Sequence, residues 1–444
     1  MKSLLRPRLR LLPLSLALVS ALPAQAQSLT ELYEAARAHD AAYQSARAQH
    51  EAARHRAEQA RAGLLPTSAL SATRSESQQE VRTAVTTNRD YGTGGATVSI
   101  TQPLYRPANL AAFEQGQRQA EVAQAQLTAA GQDLIIRVSQ AYFDVLSAQD
   151  TLAFVRAQKA AVSEQLASAR RNFEVGTATI TDTREAQARF DLVQAQEISA
   201  ENELQVRKLA LDTVTGKTDA RPRPLAAPPA LPATQPADIN AWVQQAEETS
   251  PSIRQARLGL EVARLETRRA RAGHMPTLDL SASHSIGRNL GGSATATGDS
   301  RSATSQVGLT LNIPLFSGFA TQNRIRETLS LEEKAQADLD SARRSVIQAT
   351  RSAFLGLVSG AGQVRALEAA EASSQSALDA NRLGYQVGVR INIDVLNAQS
   401  QLFQTKRDLS VARYNVLLGQ LKLRQANGSL KPEDVGTINA LLAP

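Results

Sequence analysis

The chain has 444 residues, no cysteine, 4% aromatic residues, and 49 basic against 42 acidic side chains. The missing cysteines exclude a disulfide framework and any lipid anchor on an N-terminal cysteine, and a chain of this length buries a core without such staples. Ala, Gln, Arg and Glu fill long stretches, a composition that suits long helices better than an ordinary globular core.

Residues 1–26 read as an export signal. Lys2, Arg6, Arg8 and Arg10 form a basic start, Leu11 to Leu22 an apolar centre, and Ala24-Gln25-Ala26 a small-residue cleavage site. The mature chain is expected to begin near Gln27. Four basic residues leave with the signal, so the balance becomes 45 against 42, or +3, and the high pI is no argument for nucleic acid as a partner. No later segment reaches about 18 consecutive apolar residues, so no transmembrane helix is expected.

Leu29 to Ala62 is a helix-forming run closed by Gly63 and Pro66, which are stop signals. Strand composition follows, at Thr67 to Ser75 and around Val98 and Ile100, joined by a polar segment over about 78–95. After Pro103-Leu104-Tyr105 helical composition resumes to about Asn172, which at ~1.5 Å per residue is on the order of 100 Å of helix. Val175-Gly176-Thr177-Ala178 reverses the chain, and a return helix runs from Asp182 to about Val214. Residues 215–238 hold six prolines and read as an extended, semi-rigid linker.

The same order then recurs. Ile239 to Ala272 is helical, Thr277 to Ser285 and the alternating Val307, Leu309, Leu311 and Ile313 are strands, and about 287–303 is the polar connection. A long helix turns at Val387-Gly388-Val389-Arg390 into a return helix with Leu402, Leu409, Val416 and Leu423 seven residues apart, a coiled-coil seam. Ala62-Gly63-Leu64-Leu65-Pro66-Thr67 matches Ala272-Gly273-His274-Met275-Pro276-Thr277, Pro103-Leu104-Tyr105 matches Pro314-Leu315-Phe316, and Phe173 to Gly176 with Asp182 matches Tyr385 to Gly388 with Asp394. The offsets are 210, 211 and 212 residues. Two repeats, 27–214 and 239–426, are therefore expected, with hairpins near 66–106 and 276–316, tips near 174–180 and 386–392, and a tail over 427–444 with weak signals.

Four strands with one apolar face do not close on themselves, and the smallest membrane barrels need about eight. Open edges are not tolerated in lipid. Several chains must then pool their hairpins. A dimer supplies eight strands and a trimer twelve, and the pattern alone does not choose.

The chain resembles the TolC family of outer-membrane efflux and secretion ducts over essentially its whole mature length. The most specific stretch is Tyr385-Gln386-Val387-Gly388-Val389-Arg390 through Asp394-Val395-Leu396-Asn397-Ala398-Gln399, continued by Leu409 and Ala412-Arg413-Tyr414-Asn415. The resemblance implies a mainly α-helical coiled-coil tunnel in the periplasm, and a homotrimer sharing a twelve-stranded β-barrel in outer-membrane lipid. Its partners would be a periplasmic adaptor and an inner-membrane pump of the ABC or RND type. It implies adaptor docking at Val175, Gly176, Thr177, Val387, Gly388 and Val389, a latch of Asp182, Tyr385 and Arg390 at a closed mouth, and a constriction ring at Asp394. Family members carry a second acid where this chain has Asn397, which lowers the charge of such a ring. Val307, Leu309, Leu311 and Ile313 are the lipid-facing stripe.

Each assignment has a plainer counterpart. Glycine at the tips supplies a positive-φ turn whatever docks there. Asp182 and Asp394 are first-turn acids of a kind the helix dipole favours, and Thr179 with Asp182 has capping-box spacing. The strand stripe would also suit a soluble sandwich. A pore-free periplasmic scaffold or adaptor is the rival reading of the whole chain, although adaptors usually need a compact β-rich module. The lack of a lipidated cysteine leans toward protein secretion over drug efflux.

Catalysis, cofactor and metal find no support. His50-Glu51-Ala52-Ala53-Arg54-His55 has a spacing of five, which puts the histidines on different sides of a helix, whereas a zinc pair needs i and i+4. Gly92-Thr93-Gly94-Gly95 is expected in a hairpin loop and not between a strand and a helix, so it does not cradle phosphate.

Overall fold

The computed structural model describes residues 27–82, 86–226, 235–292 and 298–443. The signal segment and residues 227–234 of the linker lie outside them. The elements, in order, are α1 (Leu29–His39), α2 (Ala41–Ala62), β1 (Thr67–Arg82), β2 (Thr86–Tyr105), α3 (Pro107–Glu174), α4 (Ile180–Thr215), α5 (Ile239–Thr249), α6 (Pro251–Arg271), β3 (Thr277–Leu290), β4 (Ser300–Asn312), α7 (Ala320–Gln386), α8 (Asn392–Ala426) and α9 (Pro432–Asn439). The chain is mostly helical with one small sheet.

Both opening helices are interrupted where single helices were expected. Asp40 sits in extended conformation and its side chain accepts from Tyr43 N at 2.7 Å, starting a new helix at α2. Ser250 is also extended, without a side-chain cap, ahead of Pro251, because proline disfavours the α conformation in the residue before it. Gly63 ends α2 with φ −65°, so the stop owes nothing to a left-handed glycine there. The tail is also more ordered than its sequence suggests, since it folds into α9.

The four strands form one antiparallel meander, β1-β2-β3-β4. Strands fill most of the segments expected as polar connections: β1 reaches Arg82, β2 begins at Thr86, and β3 reaches Leu290. The Gly92 to Gly95 run therefore lies inside β2, against the expectation of a loop. Gly95 faces the Ile286 carbonyl, where a Cβ would come to 3.1 Å, so a close strand approach explains one of its glycines. β4 ends at Asn312, one residue short of Ile313.

The helices pack as two antiparallel hairpins, α3 with α4 and α7 with α8, and α3 also lies against α2, α6 and α8. Val395, Leu402, Leu409, Val416 and Leu423 are all buried along α8, and Val155, Val162 and Ala169 repeat the seven-residue spacing on α3. The largest apolar cluster girdles the middle of the long helices. Leu29, Leu32, Tyr33 and Ala36 of α1 meet Leu134, Ile135, Val138, Tyr142 and Phe143 of α3, Leu417 and Leu421 of α8, and Val435 and Ile438 of α9.

Polar contacts pin this girdle. Arg137 donates twice to the Asp40 carboxylate, at 2.7 and 3.0 Å, and holds the carboxyl below the usual carboxylate range. Gln132 donates to the carbonyls of Gly428 and Leu430. The described part of the linker is not a free spacer: it bridges Gln27 through Pro222 and Leu442 through Leu225, and Tyr142 donates to the Arg223 carbonyl at 2.9 Å. Gly216 allows it to leave α4, having φ +69° and the His39 ring where a Cβ would stand.

Candidate functional site

Two regions have the geometry of a function: the sheet and the helical tips. In an antiparallel sheet, directly opposed residues share a face. The register places Leu70 opposite Val98, Ile100 opposite Ala282, Ala282 opposite Val307, Leu280 opposite Leu309 and Leu278 opposite Leu311. One face is thus apolar from the helix-proximal end up to the row Ala72, Ala96, Ile286 and Ala303. It is also uncovered: Val307 is 75%, Leu309 66%, Leu311 60% and Ile313 53% exposed. Within it His284 and Ser305 form a hydrogen-bonded pair at 2.8 Å. The opposite face is a field of hydroxyls, including Ser71, Ser75, Thr93, Thr97, Ser99, Ser281, Ser283, Thr304 and Thr310, with Ser75 and Thr93 only 2.6 Å apart.

The apolar face covers five rows. Same-face residues repeat every ~6.8 Å along a strand, so the band is about 27 Å long, and on the order of 20 Å high at the usual barrel tilt. That approaches the ~25 Å apolar band of outer-membrane barrels. Tyr105, Phe316 and Phe319, all at least half exposed, border its helix-proximal rim, where an interfacial aromatic girdle belongs. The outer edges of β1 and β4 pair with no strand among the described residues.

At the far end the two tips have the same backbone. Val175 and Val387 cap α3 and α7, Gly176 and Gly388 have φ +80°, and the next two amides of each turn donate to one carbonyl, that of Asn172 or of Gly384. Val175, Val387 and Val389 are 72%, 65% and 76% exposed, so each tip presents apolar surface to solvent.

The charged groups at the tips differ. Asp182 closes the capping box with Thr179: its carboxylate accepts from Thr179 N at 2.9 Å and from Thr179 Oγ1 at 2.7 Å. The equivalent N-cap of α8 is Ile391, which cannot cap, and Asp394 instead lies 3.6 Å from Arg390 of its own turn. Arg390 folds back over the buried Gly384, where a Cβ would come within 2.7 Å of Arg390 Cγ. Tyr385 receives a hydrogen bond from Asn172 at 3.4 Å, a contact between the two hairpins of one chain. Asp182 and Arg390 make no contact with each other.

Two residues that sequence reasoning passed over lie behind these tips. Asn392 is fully buried, donates to the Asp182 carbonyl at 3.3 Å and accepts from Gln165, stitching α8 to both arms of the other hairpin. Its counterpart in the first half is Ile180, so a lone polar residue at an apolar position was the available signal. Arg189 of α4 donates to Asn397 Oδ1 at 2.8 Å, bringing a cation to the position that the resemblance marks for a second acid in other members.

These features are shared with known proteins. A family model described as "Outer membrane efflux protein" matches residues 32–217 and again residues 242–429. The chain belongs to the outer membrane efflux protein family. It is 35% identical to the outer membrane protein TolC of Vibrio cholerae over 94% of each chain. It is 34% identical to the alkaline protease secretion protein AprF of Pseudomonas aeruginosa over 94% of this chain and 87% of that one. Its fold superposes on the crystal structure of the outer membrane protein VceC of Vibrio cholerae with a TM-score of 0.75 at 22% identity, covering 90% and 96% of the two chains.

Membership in this family makes the chain an outer-membrane efflux or secretion channel protein of a Gram-negative bacterium, not an enzyme. The pore-free scaffold is not favoured. The absence of a membrane-spanning helix among the described residues is no obstacle, because β-strands satisfy their backbone groups between one another.

Proposed function

We propose that three copies of this chain form a continuous exit duct, passive in itself and energised by its partners. Twelve strands would close a barrel in the outer membrane and the helical hairpins would form a periplasmic tunnel. The observation that carries the proposal is the four-stranded sheet with two open edges, one uncovered apolar face and one hydroxyl-lined face. Neither face is stable as it stands in a lone chain: the apolar one needs lipid, the edges need strands, and the hydroxyl one suits a water-filled lumen. Trimerisation meets all three requirements, and also gives α3, α4, α7 and α8 neighbours on their open sides.

The exposed valines at the tips suit docking of a periplasmic adaptor, and behind it an inner-membrane pump of the ABC or RND type. Asp394, Asn397, Asp182, Tyr385 and Arg390 would surround the inner mouth, with Arg390 and Tyr385 as the breakable ties. Among cargoes, secreted protein is favoured, since relatives named for protease secretion match over most of the chain.

The test is purification from outer membranes, native mass spectrometry and single-channel recording in a planar bilayer. A trimer with discrete conductance is expected. A soluble monomer recovered from the periplasm, or a bilayer that stays silent, sinks the reading.

A further inference from the structure

One cross-strand row of the sheet departs from its neighbours. Arg74, Gly94, Arg288 and Arg301 are successive partners across all four strands, directly beyond the last apolar row of Ala72, Ala96, Ile286 and Ala303. Arg288 and Arg301 face each other as a direct pair. Opposed side chains have Cβ atoms about 5 Å apart, and like charges there are destabilising. Arg74 is relieved by Glu76 at 3.3 Å, whereas neither Arg288 nor Arg301 makes an ion pair among the described residues. Gly94, and Gly92 one row further out, leave β2 without side chains beside them, so a depression opens between Arg74 and Arg288 with Glu76 and Asp90 on its distal side. Glu76 is already committed to Arg74, and Asp299, two residues before Arg301, accepts from the Gly291 amide, which leaves Asp90 as the acid of the depression that faces Arg288.

We propose that this row is a binding surface for the phosphate groups of outer-leaflet lipid. The inference rests on the barrel reading, which turns the apolar face toward lipid and puts the row at headgroup height. Arginines one row beyond an apolar band reach the interface with their guanidinium groups, and the planar fork matches phosphate oxygens in pairs. An anion seated between Arg288 and Arg301 converts their repulsion into two attractions. Gly94 and Gly92 leave room for the rest of the headgroup on the Arg74 side of Arg288, and in the barrel reading lipid faces that side of the sheet.

The test uses the full-length trimer in nonionic detergent, with three probes: lipid A bearing two phosphates, the same lipid dephosphorylated, and inorganic phosphate. Native mass spectrometry counts retained lipid, and thermal unfolding reads stabilisation. The doubly phosphorylated lipid is expected to bind the parent about tenfold more tightly than it binds the R288Q/R301Q double variant, which is about 1.4 kcal/mol. It is also expected to bind that much more tightly than its dephosphorylated form, while R82Q, further out on β1, behaves as the parent. Equal retention by the double variant, equal retention of the dephosphorylated lipid, or equal stabilisation by inorganic phosphate overturns the proposal. Single-channel recording separates the two failures. Conductance with no phosphate preference removes this site alone, and absent conductance removes the barrel reading beneath it.

Discussion

Asp182 and Asp394 occupy equivalent places 212 residues apart, yet their carboxylates are spent differently, and a neighbour three residues earlier decides it. Thr179 offers its hydroxyl and amide, so Asp182 is consumed in a capping box; Ile391 offers no side-chain partner, so Asp394 turns to Arg390. Arg189 on Asn397 and Arg390 beside Asp394 place two cations next to the one acid in the first turns of α8. A trivalent cation such as hexaamminecobalt is therefore expected to block conductance weakly, and R189Q with N397D to strengthen block at least tenfold, read as the blocker concentration that halves single-channel current. Asn392 joins the hairpins from a fully buried position, so its loss strands buried partners at a cost of about 1–3 kcal/mol each. Asn392→Leu should open the mouth and raise conductance, as should Arg390→Glu, whereas Ala178→Ser should leave conductance unchanged. Asp182 and Asp394 stood out in the sequence through the repeat, and Arg390 through the family resemblance. Asn392 and Arg189 were not, because a polar residue on a helix gives no sign of which neighbouring helix it faces.

Among the elements, the strands carry two codes at once. Alternation marked Val307, Leu309 and Leu311 from sequence, but strand ends were misjudged because Gly, Ser, Thr and Asp in the distal halves read as turn chemistry when they are paired backbone. Faces, not composition, set the consequence of a change. Val307→Arg, in the middle row of the apolar face, is expected to cost about 2–4 kcal/mol near mid-bilayer and to reduce assembled trimer in the outer membrane, while Thr310→Arg on the hydroxyl face leaves assembly intact. Heat-modifiable mobility on gels checks both. The break between α1 and α2 gives a pH-dependent contribution. Arg137 lowers the Asp40 carboxyl in the folded chain, so this stability is fully present above the ordinary aspartate value near pH 4 and is lost as pH falls through the folded value. Asp40→Asn should therefore unfold at a lower temperature than the parent at pH 7, by an amount corresponding to about 1–3 kcal/mol, with the gap narrowing below about pH 4. A gap that is constant with pH would remove the ion pair from the account.

For the whole molecule, the long helices and the small sheet divide the labour of a duct, and both leave surfaces that one chain does not satisfy. A cysteine pair placed across the β4 edge of one copy and the β1 edge of the next is expected to crosslink the assembly into a covalent trimer on denaturing gels, stopping at three chains because a closed ring has no free edge. An open ladder of higher species would exclude closure. Sequence by itself determined the class of elements, their twofold recurrence in order, the turning points of the long helices and the apolar stripe. These are local facts, set by the period of hydrophobic residues and by glycine and proline. Tertiary structure alone decided that β2 pairs with β3 to join the halves into one sheet, that the linker clasps the middle of α3 while α9 docks on α1, and that Asn392, Arg189 and the arginine row meet the partners they do. Those are contacts between residues far apart in the chain, and periodicity says which face a residue takes but not what another segment brings to it.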